Sequence, residues 1–122
     1  MTDIKCIDSS AWLAYYLGSS LEIKEIIDKE SLLITSSLCL FEIKKKLLTI
    51  KSDAEKFLSF IKERSIIIVP DIDIVEKAAD IAVAKKLGAM DAIIYTTACA
   101  KDAELITGDN DFRALEHVKI IC

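Results

Sequence analysis

Five acidic residues at element boundaries carry the chemistry that this sequence offers: Asp8, Glu42, Asp91, Asp109 and Asp111. The stretch Met90 to Phe112, MDAIIYTTACAKDAELITGDNDF, opens with Asp91 at the head of a helix-like run. It closes on the acids of TGDNDF, after a strand-like run from Glu104 to Thr107. In a parallel α/β unit, strand mouths and helix starts share one edge of the sheet, so Asp91, Asp109 and Asp111 are expected to face one another. Asp8 follows the first apolar run, and Glu42 is the one carboxylate within Leu38 to Ile43. Two unit charges about 4 Å apart repel by about 4 kcal/mol even at an effective dielectric near 20, so such a cluster calls for a cation. Oxygen donors without histidine or cysteine suit a hard ion, Mg²⁺ or Mn²⁺. That ion would activate a water and neutralise phosphoryl oxygens, which points to a phosphate ester as substrate. Each acid also has a plain structural reading. Asp8 and Asp91 could be helix caps, Asp109 and Asp111 parts of a turn, and Glu42 half of a surface pair with Lys46 worth about 0.3–0.5 kcal/mol.

The positioning elements alternate. Ile4 to Asp8 is a strand leading into a serine-capped helix, and Ser19 with Glu22 has capping-box spacing for a second. Leu32 to Thr35 is a strand, and Ser36 and Ser37 open a helix to about Ile50. Ser52 and Glu55 form another capping box, above a buried side of Phe57, Leu58, Phe60 and Ile61. Ser65 to Val69 is a fully apolar strand stopped by Pro70. Asp73 and Glu76 cap a small-residue helix that Gly88 ends, and Asp91 starts the next, with Ile93, Ile94, Thr97 and Ala98 facing inward. Leu105 to Thr107, a short turn at Asp111 to Leu115, and a strand at Val118 to Ile121 finish the chain. The pattern predicts a three-layer α/β/α sandwich with a mainly parallel five-stranded sheet, in one domain over residues 1–122.

Composition narrows the classes further. A 52% hydrophobic fraction with three Gly and one Pro excludes a linker-rich or disordered chain. No apolar run approaches the roughly 20 residues that span a bilayer, so a cytoplasmic protein is expected. Cys6, Cys39, Cys99 and Cys122 stand singly, with no CxxC pair, and are expected as small core residues or surface thiols. His117, the lone histidine, is expected on a surface or turn. A net charge of −4 and a pI near 5.0 argue against tight nonspecific binding of nucleic acid. The local basic candidates are Lys44, Lys45, Lys46, Lys85, Lys86 and, singly, Lys101 and Arg113. Trp12 and Phe112 are aromatic residues near the acids in sequence, too few to indicate base stacking strongly.

Taken together, Asp8-Ser9-Ser10 after the first strand, the helical Glu42, Asp91-Ala92 heading a small-residue helix and Thr107 to Phe112 resemble a PIN domain. The resemblance covers essentially the whole chain and is strongest to the short VapC-type toxins of toxin–antitoxin pairs. It implies a Mg²⁺- or Mn²⁺-dependent ribonuclease in which Asp8, Glu42, Asp91 and Asp109 match the catalytic acidic quartet. Asp8, Asp91, Asp109 and Asp111 are the implied metal ligands, with Asp111 competing with Asp109 for the fourth place. Ser10 and Thr107 would support the site, Asn110 would add a polar contact, and Lys44, Lys45, Lys46, Lys85, Lys86 and Arg113 would meet RNA. An antitoxin protein and a second copy of the chain, packed through hydrophobic helices, are the implied partners. The rival readings are a non-catalytic module of the same fold that binds RNA or protein, a housekeeping nuclease of that fold, and a receiver-type phosphoacceptor. The last needs a lysine at a strand end, and no strand candidate ends in one.

Overall fold

Five short strands, β1 (Ile4–Ile7), β2 (Leu32–Ser36), β3 (Ile66–Ile68), β4 (Glu104–Thr107) and β5 (Val118–Ile120), pair in the order β3-β2-β1-β4-β5. Every pairing is parallel, where the sequence suggested only a mainly parallel sheet. Between them run α1 (Ser9–Leu17), α2 (Leu21–Asp28), α3 (Ser37–Thr49), α4 (Ala54–Arg64), α5 (Ile72–Lys85) and α6 (Ala89–Ala100). A 3₁₀ turn at Asn110–Phe112 follows β4. The computed structural model describes residues 3–29 and 32–121, so Cys122 lies outside the described residues.

Helices cover both faces of the sheet. Successive strand residues point to opposite faces, and Cys6 and Ile7 of β1, like Leu105 and Ile106 of β4, are all fully buried. That pattern belongs to central parallel strands in a three-layer fold. β3 is different. Its Ser65 to Val69 run, though apolar, is not fully buried, because β3 is the sheet edge and Ile66 is 53% exposed. The chain runs outward from β1 through β2 to β3, and α5 and α6 then return it to β4 on the other side of β1. The switch point therefore lies between the carboxyl ends of β1 and β4, where parallel sheets open a crevice.

A buried polar chain fixes α1 over the sheet. Trp12 Nε1 donates to Thr35 Oγ1 at 3.1 Å, the Thr35 and Ser65 hydroxyls meet at 2.8 Å, and Ser65 Oγ donates to the Ile61 carbonyl at 2.8 Å. Since Ser65 spends its only proton on Ile61, Thr35 donates to Ser65 and every member of the chain is satisfied. Trp12, fully buried, also packs edge-on against Tyr15, Phe57 and Phe60. Thus Ser9 and Ser10, one turn earlier, sit at fixed positions by the β1 end.

Three helix starts lie elsewhere than the sequence spacing predicts. Ser20, not Ser19, caps α2 by accepting from the Ile23 N–H. Asp53, not Ser52, caps α4, and Asp71, not Asp73, caps α5. Gly88 does not end α5; the left-handed Lys86 does, and Gly88 is the N-cap of α6. Of the α6 residues expected to face inward, Ile93 is only half-buried, and Phe60 of α4 stays partly exposed.

Thr96 of α6 offers a stability test. Its Oγ1 is buried without a hydrogen-bond partner among the described residues, and the residue is 3% exposed. Thr96→Val keeps the shape and removes the unsatisfied group, so it is expected to raise stability by about 1 kcal/mol. Chemical denaturation measures this, and a destabilised Thr96→Val would show that the hydroxyl is in fact satisfied.

Candidate functional site

Asp8 stands at the β1–α1 joint in extended backbone, yet its side chain caps nothing in α1. Instead it turns toward β4. Ser10 Oγ and Thr107 Oγ1 both donate to Asp8 Oδ2, at 2.9 and 2.7 Å. The two hydroxyls in turn accept backbone N–H groups, Gly108 on Ser10 Oγ at 2.9 Å and Asp109 on Thr107 Oγ1 at 3.0 Å. Asp8 is only 4% exposed, and a buried polar group without such hydrogen bonds would be costly. Because both donors take Oδ2, Oδ1 is left without a partner from these two hydroxyls.

Glu42 projects from α3 toward the same place. Ser9 Oγ donates to its Oε1 at 2.8 Å, so the pair with Lys46 suggested by helical spacing does not form. Burial raises the Glu42 pKa most, the Ser9 hydrogen bond offsets part of that, and the charges of Asp8 and Asp109 raise it further. Cys39, one turn before Glu42, is fully buried beside them. One ligand atom from each of Asp8, Cys39 and Glu42 lies within 4.8 Å of the others. Burial first, then Asp8, Cys6 and Glu42, push the Cys39 thiol well above its ordinary pKa, so it stands among the acids as a neutral group. Sequence reasoning missed both the Ser9 contact and the Cys39 neighbour. Cys39 was findable from its i, i+3 spacing to Glu42, whereas nothing local in the sequence pairs Ser9 with a residue 33 positions away.

Asp91 is the third residue of α6 rather than its first, and it too makes no capping bond. Its carboxylate meets those of Asp109 and Asp111, with one ligand atom from each within 4.8 Å of the others. Its pKa is pushed up to about 6, chiefly by burial and then by the charges of Asp109, Asp8, Glu42 and Asp111. All five acids therefore share one electrostatic field at the β1–β4 switch point. Between the two competitors, Asp109 faces the centre. It acts on both Asp91 and Glu42, while Asp111 is exposed and acts on Asp91 last. Asp109 also does turn work, since its Oδ1 accepts the Asp111 N–H at 2.9 Å. Asn110 Oδ1 accepts from Arg113 at 2.7 Å, which ties both to the rim of this loop.

Of the basic candidates, Lys44 is engaged with Glu55 at 3.5 Å. Lys45 lies close enough to lower the Glu42 pKa. Lys85 and Lys86 end α5, next to the start of α6, whereas Lys101 closes α6 at the end away from Asp91, roughly 15 Å along the axis. Trp12 and Phe112 are both fully buried and present no face to a ligand. His117 is exposed at a left-handed turn, as expected.

The donor set fits a hard divalent cation. Two neighbouring groups supply oxygens, Asp8 with Glu42 and Asp91 with Asp109 and Asp111; the buried Asp8 is already oriented, and positive charge relieves the repulsion that adds to burial in lifting Asp91.

The fold recurs in known structures. A toxin–antitoxin complex from Klebsiella pneumoniae contains a chain that superposes with a TM-score of 0.80 at 22% identity, covering 94% of this chain and 95% of that one. VapBC2 from Rickettsia felis, bound to a promoter DNA fragment, gives 0.74 at 18% identity over 98% and 99% of the two chains. VapC20 from Mycobacterium tuberculosis, described as a sarcin–ricin loop cleaving toxin, gives 0.77 at 18% identity over 97% and 99%. At these identities the likeness is one of fold. No curated protein matches the chain. The family profile of the PIN domain matches residues 5–118, a span that contains all five acids, and the chain belongs to the PIN domain family.

Proposed function

We propose that this chain is a metal-dependent endoribonuclease acting in the cytoplasm as the toxin of a toxin–antitoxin pair. The observation that carries the reading is the placement of two acidic groups, Asp8 with Glu42 and Asp91 with Asp109 and Asp111, at one sheet edge, where burial and then the neighbouring charges push the Asp91 pKa up to about 6. RNA as the substrate, and an antitoxin as partner, rest on the family and on the neighbours, one of which is described as cleaving the sarcin–ricin loop. Asp8, Asp91 and Asp109 would hold Mg²⁺ or Mn²⁺, with Asp111 at the rim. A bound divalent ion supplies an activated water and neutralises charge on the phosphoryl oxygens. Ser10 and Thr107 fix the Asp8 carboxylate by occupying its Oδ2. Ser9 fixes Glu42 through Oε1, and Oε2 is then the atom placed to take a proton from the attacking water.

Self-association is part of the reading. An apolar groove between α5 and α6 is lined by Val75, Ala78, Val83, Ala92 and Ile93 among others, Val75 and Val83 being exposed, and a second copy of the chain would cover it.

The test is metal dependence. Purified protein is expected to cleave RNA with Mg²⁺ or Mn²⁺, to stop in EDTA, and to resume on adding Mn²⁺. Millimolar Mn²⁺ is expected to raise the Tm, since an ion at 100 times its Kd contributes about 2.7 kcal/mol. Full cleavage in EDTA would overturn the metal dependence, and no cleavage together with an unchanged Tm would replace this reading with that of a non-catalytic module.

A further inference from the structure

Phe41, directly before Glu42, is 61% exposed. A lone exposed apolar side chain is ordinary, but this one lines a cavity of about 400 Å³ together with Glu42, Lys45, Lys46, Thr49 and Met90. The volume lies in the range of small-ligand sites, about 300–1,000 Å³. Phe41, Lys45 and Thr49 repeat at i and i+4 along α3, and Met90 precedes Asp91 on α6. The walls of the cavity are thus the immediate neighbours of two of the acids, and any occupant long enough to leave it on that side enters the acidic crevice. Its lining is mixed: an aromatic face, a thioether and lysine stems beneath two ammonium heads. Lys44 is committed to Glu55, but neither Lys45 nor Lys46 forms an ion pair among the described residues, although Glu42 is one turn away. In an acidic chain, two unpaired cations and an exposed ring at the mouth of the acidic cluster are complementary to a chain of bases and phosphates.

We infer that this cavity is a nucleotide subsite for single-stranded RNA, in which Phe41 stacks on a base flanking the scissile phosphate and Lys45 and Lys46 meet the adjacent phosphates. The inference rests on the ribonuclease reading and adds to it the strand state of the substrate and the residues that hold it. A splayed base is required, because a base kept in a duplex cannot offer its face to a side chain.

The probe is a ten-nucleotide single-stranded RNA of mixed sequence. Phe41→Ala is expected to raise its KM roughly tenfold, with the loss in KM rather than in kcat. Phe41→Trp is expected to hold KM near the wild-type value. Lys45→Gln and Lys46→Gln are each expected to reduce the slope of log KM against log salt by about 0.7. The Tm increment on adding Mn²⁺ is expected to stay as in the wild type, because none of these side chains belongs to the acidic cluster. If the wild type cleaves the RNA and Phe41→Ala leaves KM unchanged, the subsite alone is overturned. If the wild type cleaves no RNA, the function beneath it fails, and the subsite with it. If Phe41→Ala instead weakens a co-expressed protein partner while KM for RNA holds, the cavity is a protein-docking site and the inference is wrong.

Discussion

Replacing Asp91 with asparagine is expected to lower RNA cleavage roughly a hundredfold or more, while making the metal-free protein more stable at pH 7. The first effect follows because outer partners of a metal ligand already cost about 10- to 100-fold when removed, and a direct ligand costs at least as much. The second follows from linkage. In the folded, metal-free protein Asp91 titrates near 6, against an ordinary value of 3.8, because burial and then the neighbouring carboxylates disfavour its charge. Between those values the folded state holds a proton that the unfolded state has released, so stability falls as pH rises from about 4 to about 6 and stays low above that. Glu42 is shifted in the same direction and adds to the slope. An asparagine in place of Asp91 would carry no charge to repel. The variant should therefore melt higher than the wild type at pH 7 in EDTA, by a few degrees, and show a flatter Tm profile between about pH 4 and 6. In saturating Mn²⁺ the order should reverse, because the wild type gains the ion and the variant loses a ligand. Active Asp91→Asn protein would sink the proposed site. An inactive variant no more stable than the wild type in EDTA would keep the ligand and remove the repulsion argument.

The strands and their order around the acids were legible because central parallel strands announce themselves as short apolar runs between helical periods. The helix starts were less so, and the misses at helix–helix junctions share a cause. At Ser19 the backbone N–H is taken by the Ala14 carbonyl, closing α1 through the left-handed Gly18, so the cap of α2 moves one residue on to Ser20. At Ser52 the N–H closes α3 on the Leu47 carbonyl after the left-handed Lys51, and Asp53 caps α4. At Lys86 the left-handed turn lets the Leu87 N–H reach Ala82, which frees Gly88 to begin α6 and moves Asp91 into its first turn. At the first two junctions the end of one helix consumes the residue that the spacing assigned to the start of the next, and at the third the next helix takes the glycine assigned to the end of the previous one. Capping-box spacing describes one terminus, and these connections serve two.

The acids themselves were legible as types and positions, since their order relative to the strands and helices marked them out although each alone could be a cap or part of a turn. Their supports were legible only in part. Ser10 and Thr107 flank acids in sequence, so they could be named. Ser9 and Cys39 act on Glu42 and Asp8 across α1 and α3, a contact set by the packing of Trp12 on Thr35 rather than by local pattern. The exposure of the aromatic residues was likewise set by packing. Trp12 and Phe112 are near the acids in sequence but spend their rings on the core, while Phe41, next to Glu42, keeps its ring in solvent.

Thr107→Val isolates the role of the hydroxyl that joins the two halves of the chain. Thr107 is fully buried, donates to Asp8 Oδ2 at 2.7 Å and accepts the Asp109 N–H at 3.0 Å. Valine fills the same space, so no cavity term enters. What is lost is a charge-assisted bond to a buried carboxylate and the acceptor that holds the Asp109 N–H beside the end of β4. Together these are expected to cost about 2–4 kcal/mol, or roughly 10 °C in Tm for a chain of this size. Ser10→Ala should cost less, about 1 kcal/mol, because Ser10 is only half-buried and water can replace its hydroxyl. Thr107→Ser keeps the donor and acceptor and should recover most of the loss. Thr107 touches the acids rather than the substrate, so its effect should fall on Mn²⁺ affinity and kcat, leaving KM for RNA nearly unchanged. A Thr107→Val protein with the wild-type Tm would mean that Asp8 is held by other groups. One that loses stability but keeps its Mn²⁺ affinity would mean that the orientation of Asp8 does not set the metal site.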